Sequence, residues 1–539
     1  MPTLHFKGKT FVQNHHLAVK YHQLVPKKEL SLTDNISLHD NLIIQGDNLK
    51  ALKALLPTYA GKVKCIYIDP PYNTGNENWV YNDNVNSPML KEWLGKVVDK
   101  EDMTRHDKWL CMMMPRLKLL RELLSEDGAI FISCDDNEQH NLRGLLDEVF
   151  QPQNFIQNII WQKKYTQSND AKYFSDTHDF IICYAKNKID GEVKSGFKLN
   201  LLARTEEQNE RYSNPDNDPR GEWMTQPLHA KSGTDSTYTF KFSNGVEWQP
   251  PAGTFPRYSI DTLQKADIEK RIWFGIKGDA VPRMKKFLSE MKEGVTSKSI
   301  WLYDEVGSND DAKKPLKELF NDNLFATPKP VTLIRKIIEL STNENDVVLD
   351  SFAGSGTTAH AVLELNKEDG GNRKFILVEQ EDYATTITAE RVRRVIKGVK
   401  SAKNENLKKG TGGTFSYFQL GDSIEMESIL TGKSLPSYEE LARYIFYTAT
   451  GLEFSEKKIY RKINFIGETE HYELYMLYEP NIDWLKQNAL TLDGVRSMPK
   501  YKGKQRLVFA PAKYVDDYTL LEHRIDFCQL PYEIYRIQK

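Results

Sequence analysis

Cysteine is scarce in this chain of 539 residues: Cys65, Cys111, Cys134, Cys183 and Cys528 stand singly, with no C-x-x-C pair. An odd, dispersed set gives neither a disulfide framework nor zinc-ligand spacing. No metal is therefore expected, and the thiols fit a reducing, cytoplasmic compartment. Apolar runs long enough to span a bilayer are lacking, and Met1–Lys7 has no signal-peptide core, so no membrane partner is expected. Net charge is nearly absent as well. Lys and Arg number 73 against 75 Asp and Glu, a balance of −2, so any contact with nucleic acid must come from a local field. Phosphate loops are missing too: Gly8-Lys9-Thr10 and Gly432-Lys433-Ser434 lack the upstream glycine of a Walker A motif. Internal repeats and low-complexity tracts are also absent.

What is present is ordinary globular material, 40% hydrophobic and 27% charged, at a length suited to three or four domains. Leu42–Ile44, Val63–Ile68 and Ala129–Ser133 read as strands. Leu49–Leu56, Leu110–Leu124 and Leu142–Phe150 carry helical stripes, with Ser125–Gly128 closing the second of these helices. Two further apolar runs follow, Phe155–Trp161 and Phe180–Tyr184. Between about 190 and 300 the texture becomes turn-rich. Trp223, Tyr238, Phe240, Phe242, Trp248, Tyr258 and Trp273 interleave there with Arg257, Arg271, Arg283, Lys285 and Lys286. Such a mixture suits a surface for phosphates and bases. It equally suits a small β-rich domain with a solvated face. Strand–helix alternation resumes with Ile334–Ile338, Val347–Asp350, Ala359–Leu365 and Phe375–Val378, followed by a basic helix with Arg391, Arg393, Arg394 and Lys397. Strands alternating with helices predict an α/β fold on a mostly parallel sheet.

Two motifs carry chemistry. The strand Val63–Ile68 stops at Asp69-Pro70-Pro71-Tyr72. Each proline fixes φ and lacks an N–H, and Asp69 is held extended by the proline after it. A carboxylate, backbone carbonyls and an aromatic face are thus presented past a strand end, where open α/β sheets bind ligands. Together they can hold an amino group on a flat ring. The same residues also make an ordinary strand-to-turn junction. A polar, aromatic loop with Trp79 and Tyr81–Asn84 follows.

The second motif is Asp350-Ser351-Phe352-Ala353-Gly354-Ser355-Gly356, between a strand and a helix. Its glycines let backbone approach a ligand closely, and the helix N-terminus beyond is partly positive. Glu379, at the end of the next strand, stands where a ribose-binding acid is expected. Asp47 ends the strand–turn at Gly46 and serves either as a helix cap or as a ligand-facing acid.

Asp69–Tyr72 resembles the catalytic motif of DNA amino-methyltransferases, and Phe352–Gly356 is similar to that family's S-adenosylmethionine loop. The likeness covers most of 41–400. It implies a Rossmann-like, S-adenosylmethionine-dependent methyltransferase fold in the β-class order, circularly permuted, with the catalytic motif first and the cofactor loop second. It also implies roles for single residues. Asp69, Pro70, Pro71 and Tyr72 are the catalytic set. Asp47, Asp69, Thr327, Lys329, Asp350, Phe352, Ala353, Gly354, Ser355, Gly356 and Glu379 are the cofactor contacts, Asp47 at the adenine and Glu379 at the ribose. Ser351 departs from the aromatic usual there, while Phe352 remains. Longer strings, among them Asp135-Asp136-Asn137-Glu138, Asn214–Gly221, Arg271–Gly275 and Phe527–Tyr532, resemble the modification subunit of Type III restriction–modification systems.

The implied organisation is an arm over 1–40, a catalytic half over 41–189 and an inserted target-recognition domain over 190–300. A cofactor half follows over 301–410, then a C-terminal domain over 411–539. The implied activity is methylation of adenine N6 in double-stranded DNA after base flipping. Homodimerisation and a separate restriction subunit are implied with it. The alternatives are a cytosine-N4 enzyme, a methyltransferase acting on RNA or protein, a nicotinamide-dependent Rossmann oxidoreductase and a non-catalytic DNA-binding module.

Overall fold

The computed structural model describes residues 3–74, 104–168, 171–190, 195–233, 237–291, 294–322, 324–424, 435–452 and 454–530. Gly75, the loop with Trp79 and Tyr81–Asn84, Lys433-Ser434 and Pro531-Tyr532 lie outside them. The described chain divides into two compact units, 201–297 and the remainder.

The larger unit is built on a ten-stranded sheet. Its strands, in chain order, are β1 (His22–Pro26), β2 (Leu42–Gln45), β3 (Val63–Ile68), β4 (Leu124–Cys134), β5 (Phe155–Gln162), β6 (His178–Ala185), β7 (Ile300–Trp301), β8 (Val347–Asp350), β9 (Lys374–Glu379) and β10 (Ser416–Ser423). Their spatial order is β1-β10-β2-β9-β8-β3-β4-β6-β5-β7. The six strands from β10 to β4 run parallel. β1 and β6 pair antiparallel at either flank of that block. Near-continuous apolar runs such as Cys65-Ile66-Tyr67-Ile68 follow from burial on both faces.

Alternation along each strand divides the core. Leu42, Ile44, Ile66, Ile68, Ile130 and Ile132 cluster with helices α1 (Asn48–Tyr59), α2 (Arg105–Leu123) and α3 (Gln139–Phe150) on one face. Cys65 points the other way, to Ser341 of α4 (Val331–Ser341). There α4 packs on α5 (Thr357–Asp369), and α5 on α6 (Glu390–Lys397).

One element differs from the sequence-based expectation. Ser125–Gly128 does not close α2 but belongs to β4. Glu126 and Asp127 are held by Lys186 and Lys64, and a Cβ on Gly128 would come within 2.9 Å of the Val63 carbonyl oxygen. β1 and β10, from the arm and from the region after 411, complete one side of the sheet.

Beyond β10, Phe465–Glu468, Tyr472–Met476, Gln505–Ala510 and Ile525–Gln529 form a second sheet, its last three strands parallel. The aromatic helix Tyr438–Thr450 buries Tyr438, Leu441, Ile445 and Phe446 in that sheet's core. It also packs on α1. Aromatics there are core residues.

The unit 201–297 has a three-stranded antiparallel sheet and the helix Ile260–Ile268. Trp223, Phe242 and Trp248 are buried in it, and buried Lys285 pairs with Asp216 and, at 2.9 Å, with Asp218. Arg271 is held by Glu269 and Glu290. Much of the aromatic and basic interleaving read from the sequence is therefore internal to this unit.

Gly46 closes β2 at φ 148°, and a Cβ there would lie 2.5–2.9 Å from the Leu420 side chain of β10. Gly46→Ala should therefore cost about 1–3 kcal/mol by overpacking. Denaturant unfolding checks this, and Leu420→Ala in the same chain should return part of the loss.

Candidate active site

The carboxyl ends of five neighbouring parallel strands each carry an acid: Asp47 after β2, Glu379 ending β9, Asp350 ending β8, Asp69 after β3 and Asp135 after β4. Parallel pairing sets Leu349 opposite Ile66. Asp69 and the Phe352–Gly356 loop, distant in sequence, therefore leave the sheet side by side. A cavity of about 350 Å³ lies at this edge. Asp69, Pro70, Tyr72, Thr327, Lys329, Asp350, Phe352, Ala353, Gly354 and Ser355 line it. Asp47, Pro71, Gly356 and Glu379 are not among its lining residues.

The Asp69 segment is clamped from outside the cavity. The Pro71 carbonyl accepts the Trp109 indole N–H at 2.6 Å, so Pro71 is occupied in fixing the loop. Asn73 sits in the left-handed region at φ 59° and donates to Glu138 at 2.5 Å. Glu138 is fully buried and also meets His106 at 2.7 Å and Asn141 at 2.8 Å. Inside the cavity the Lys329 ammonium donates to Asp69 Oδ2 at 2.5 Å and lies 5.1 Å from the Tyr72 ring centre. Sequence reasoning placed Lys329 with the cofactor; the structure adds its direct pairing with Asp69.

The glycine loop is held as tightly. Gly354 and Gly356 have φ of 51° and 79°, a region that L side chains enter only with strain. The Asp350 carboxylate accepts the Phe352 N–H at 3.0 Å and the Thr358 hydroxyl at 2.6 Å. Glu379 accepts the Gly354 N–H at 2.7 Å and the N–H groups of Gln380 and Glu381 at 2.8 and 3.1 Å. Burial pushes both acids up to about 7, against these hydrogen bonds. Asp47 takes its capping role, accepting the Lys50 N–H at 3.0 Å.

Arg391, on the basic helix, is completely buried. It donates to the Ser355 hydroxyl at 2.8 Å, the Thr357 hydroxyl at 2.9 Å and the Ser355 carbonyl at 3.3 Å, bracing the loop from beneath. Burial lowers its pKa to about 9, with Glu364 opposing. The available signal was spacing, since Ile387, Arg391 and Val395 form one i, i+4 stripe. Lys163 and Asp179, also in the cavity lining, were not singled out at all.

The arrangement offers a carboxylate paired with one ammonium, an aromatic face and a glycine-rich backbone loop, in one cavity at a sheet's carboxyl edge. It can hold a flat amine-bearing ring beside a nucleotide-like ligand.

Comparison with known proteins follows the same lines. A family model described as DNA methylase matches residues 63–390. The chain is 33% identical over 477 residues to the Type III restriction-modification enzyme StyLTI Mod subunit of Salmonella typhimurium, covering 81% of this chain and 70% of that one. It is 34% identical to the EcoPI Mod subunit of Escherichia phage P1, covering 72% and 67%. To the Type II methyltransferase M.KpnI of Klebsiella pneumoniae it is 31% identical, covering 66% and 84%.

Asp350 binds its proton more tightly in the folded chain than in the unfolded one, where a carboxyl titrates near about 3.9. Its contribution is therefore fully present below about pH 4 and is lost as pH rises through about 7. Thermal unfolding of Asp350→Asn against the unsubstituted chain should show this. The variant should gain relative stability between pH 5 and 7, by up to about 1.4 kcal/mol per pH unit.

Proposed function

The chain belongs to the N6/N4 DNA methylase family, and from that footing we propose that it transfers a methyl group from S-adenosylmethionine to adenine N6 in duplex DNA, as the modification subunit of a Type III restriction–modification system. The observation that carries the proposal is the shared cavity of Asp69, Pro70 and Tyr72 with the Phe352–Ser355 loop.

The cofactor reading is supported by the loop itself. A Cβ on Gly354 would lie 3.2 Å from the Phe325 ring, and Gly356 precedes the N-terminus of α5. The backbone here is kept bare and close to the cavity wall. Phe352–Ser355 would hold S-adenosylmethionine, with Asp350 and Glu379 shaping the loop and Thr327 and Lys329 in the same cavity lining. When bound, it supplies an electrophilic methyl group on a sulfonium centre.

The chain's own residues prepare the amine. A flipped base forfeits stacking worth a few kcal/mol, and a Tyr72 face returns about 1–3 kcal/mol. Asp69 and the Pro70 carbonyl each accept one amine N–H. That draws the nitrogen toward tetrahedral geometry and frees its lone pair from the ring. As positive charge develops on the nitrogen, the same oxygens stabilise it. Lys329 donates to Asp69 Oδ2 and so orients the carboxylate that accepts the amine. The resemblance of Asp69–Tyr72 to the family's catalytic motif, with aspartate in first position, supports adenine over cytosine. The chain's likeness to Mod subunits supports pairing with a restriction subunit, and a homodimeric assembly is proposed with it.

Asp69→Ala should abolish methylation in an expressing host while S-adenosylmethionine binding, followed by calorimetry, persists within about tenfold. Lys329→Met should lower kcat by about 10- to 100-fold, from loss of a charge-assisted hydrogen bond. Mapping modified bases in host DNA tests the reading directly. Methylated adenines at one recurring sequence support it; N4-methylcytosine, or methyl transfer to RNA or protein alone, refutes it.

A further inference from the structure

One charged pair in the cavity has no part in this scheme. Lys163 follows β5, and Asp179 is the second residue of β6, set opposite Trp161. Phe180 pairs with Cys134 at the end of β4, so Lys163 and Asp179 stand at the same sheet edge as Asp69. Lys163 donates to Asp179 at 2.7 Å and to Asp176 at 2.8 Å. The Lys163 and Asp179 side chains are only 11% and 5% exposed, while Asp176 is 62% exposed. Burial works against the charge on Lys163, yet the two carboxylates outweigh it and hold the ammonium protonated.

Desolvating such a pair opposes folding, and apolar residues of equal volume would fill the space without that cost. A buried ammonium facing a ligand cavity therefore points to a ligand. Its chemistry narrows the choice. An ammonium has three N–H donors and no acceptor, and Asp179 and Asp176 take two of them. The third is left, among the described residues, for an acceptor in the cavity.

We propose that Lys163 reads the target base, donating its third N–H to the ring nitrogen beside the methylated amine, which is N1 of adenine. This rests on the function proposed above. Asp179 is then a positioning residue that fixes the ammonium, and Asp176 ties it to the surface. The contact accepts a base whose ring nitrogen has a lone pair. Guanine and thymine present an N–H at the corresponding place and meet the ammonium donor to donor. The Asp69 site selects for an amine, and Lys163 selects for the nitrogen next to it.

The test uses the full chain and a synthetic duplex of its mapped recognition sequence. The target adenine is retained, or replaced by 1-deazaadenine or 7-deazaadenine, each opposite an abasic site so that lost base pairing does not differ among them. Labelled methyl transfer to the adenine duplex first checks the proposed activity; no transfer there defeats that reading and this inference with it. The unsubstituted chain should lose about 10- to 100-fold in kcat/KM on 1-deazaadenine and stay within about threefold on 7-deazaadenine. Lys163→Met should lose a similar factor on adenine and no further on 1-deazaadenine, with cofactor affinity unchanged. Equal use of all three bases by the unsubstituted chain overturns the inference, whether or not the variant folds. So does a Lys163→Met enzyme that still separates adenine from 1-deazaadenine by the full factor. If mapping shows cytosine as the target, 3-deazacytosine replaces 1-deazaadenine and the same outcomes decide.

Discussion

Parallel pairing of β3 with β8 is the constraint on which the site depends. A strand register is fixed in steps of one residue, and a slip of one reverses every side chain. Ile66 opposite Leu349 sends both strands out of the sheet at the same level. The acid of one motif and the glycine loop of the other then share a cavity. Neither motif needs the other as a sequence neighbour. The sheet supplies the proximity, and burial on both faces holds the register.

Around that pairing, each motif is fixed from the side away from the cavity. Trp109 and Glu138 hold the Asp69 segment through Pro71 and Asn73. Thr388 and Arg391 hold the glycine loop, the former through the Gly354 carbonyl at 2.6 Å. The Trp109 and Thr388 contacts also satisfy backbone carbonyls, of Pro71 and Gly354, that the turns leave without partners. Rigidity at a site of this kind comes from neighbours that never meet the ligand.

The sequence was most legible where pattern and chemistry coincided. Val63–Ile68 ending in Asp-Pro-Pro-Tyr, and Val347–Asp350 before the glycines, announced both element type and chemistry. Less legible were residues whose role depends on partners far along the chain. Arg391 carries the charge of a surface residue at a core position, and only Ser355, Thr357 and His360 explain it. Lys163 lies in a run with Lys164 that reads as solvated. β10 escaped notice because its alternation is weak, and its pairing with β2 spans most of the chain. The aromatics of 201–297 showed composition without direction. Which of them face inward is a matter of packing.

The interleaving of the sheet also has a kinetic side. Asp69 and Asp350 are separated by about 280 residues, and β10 lies further on still. At a synthesis rate of roughly 5–20 residues per second, β3 emerges on the order of 15–60 seconds before the strand it must pair with. During that interval β3 has an open edge, and early pairing with β4 alone covers one side of it. The nascent chain thus carries its reactive acid for tens of seconds without the loop that gives the acid a use. The two halves become one catalyst only when the last third of the chain is being made.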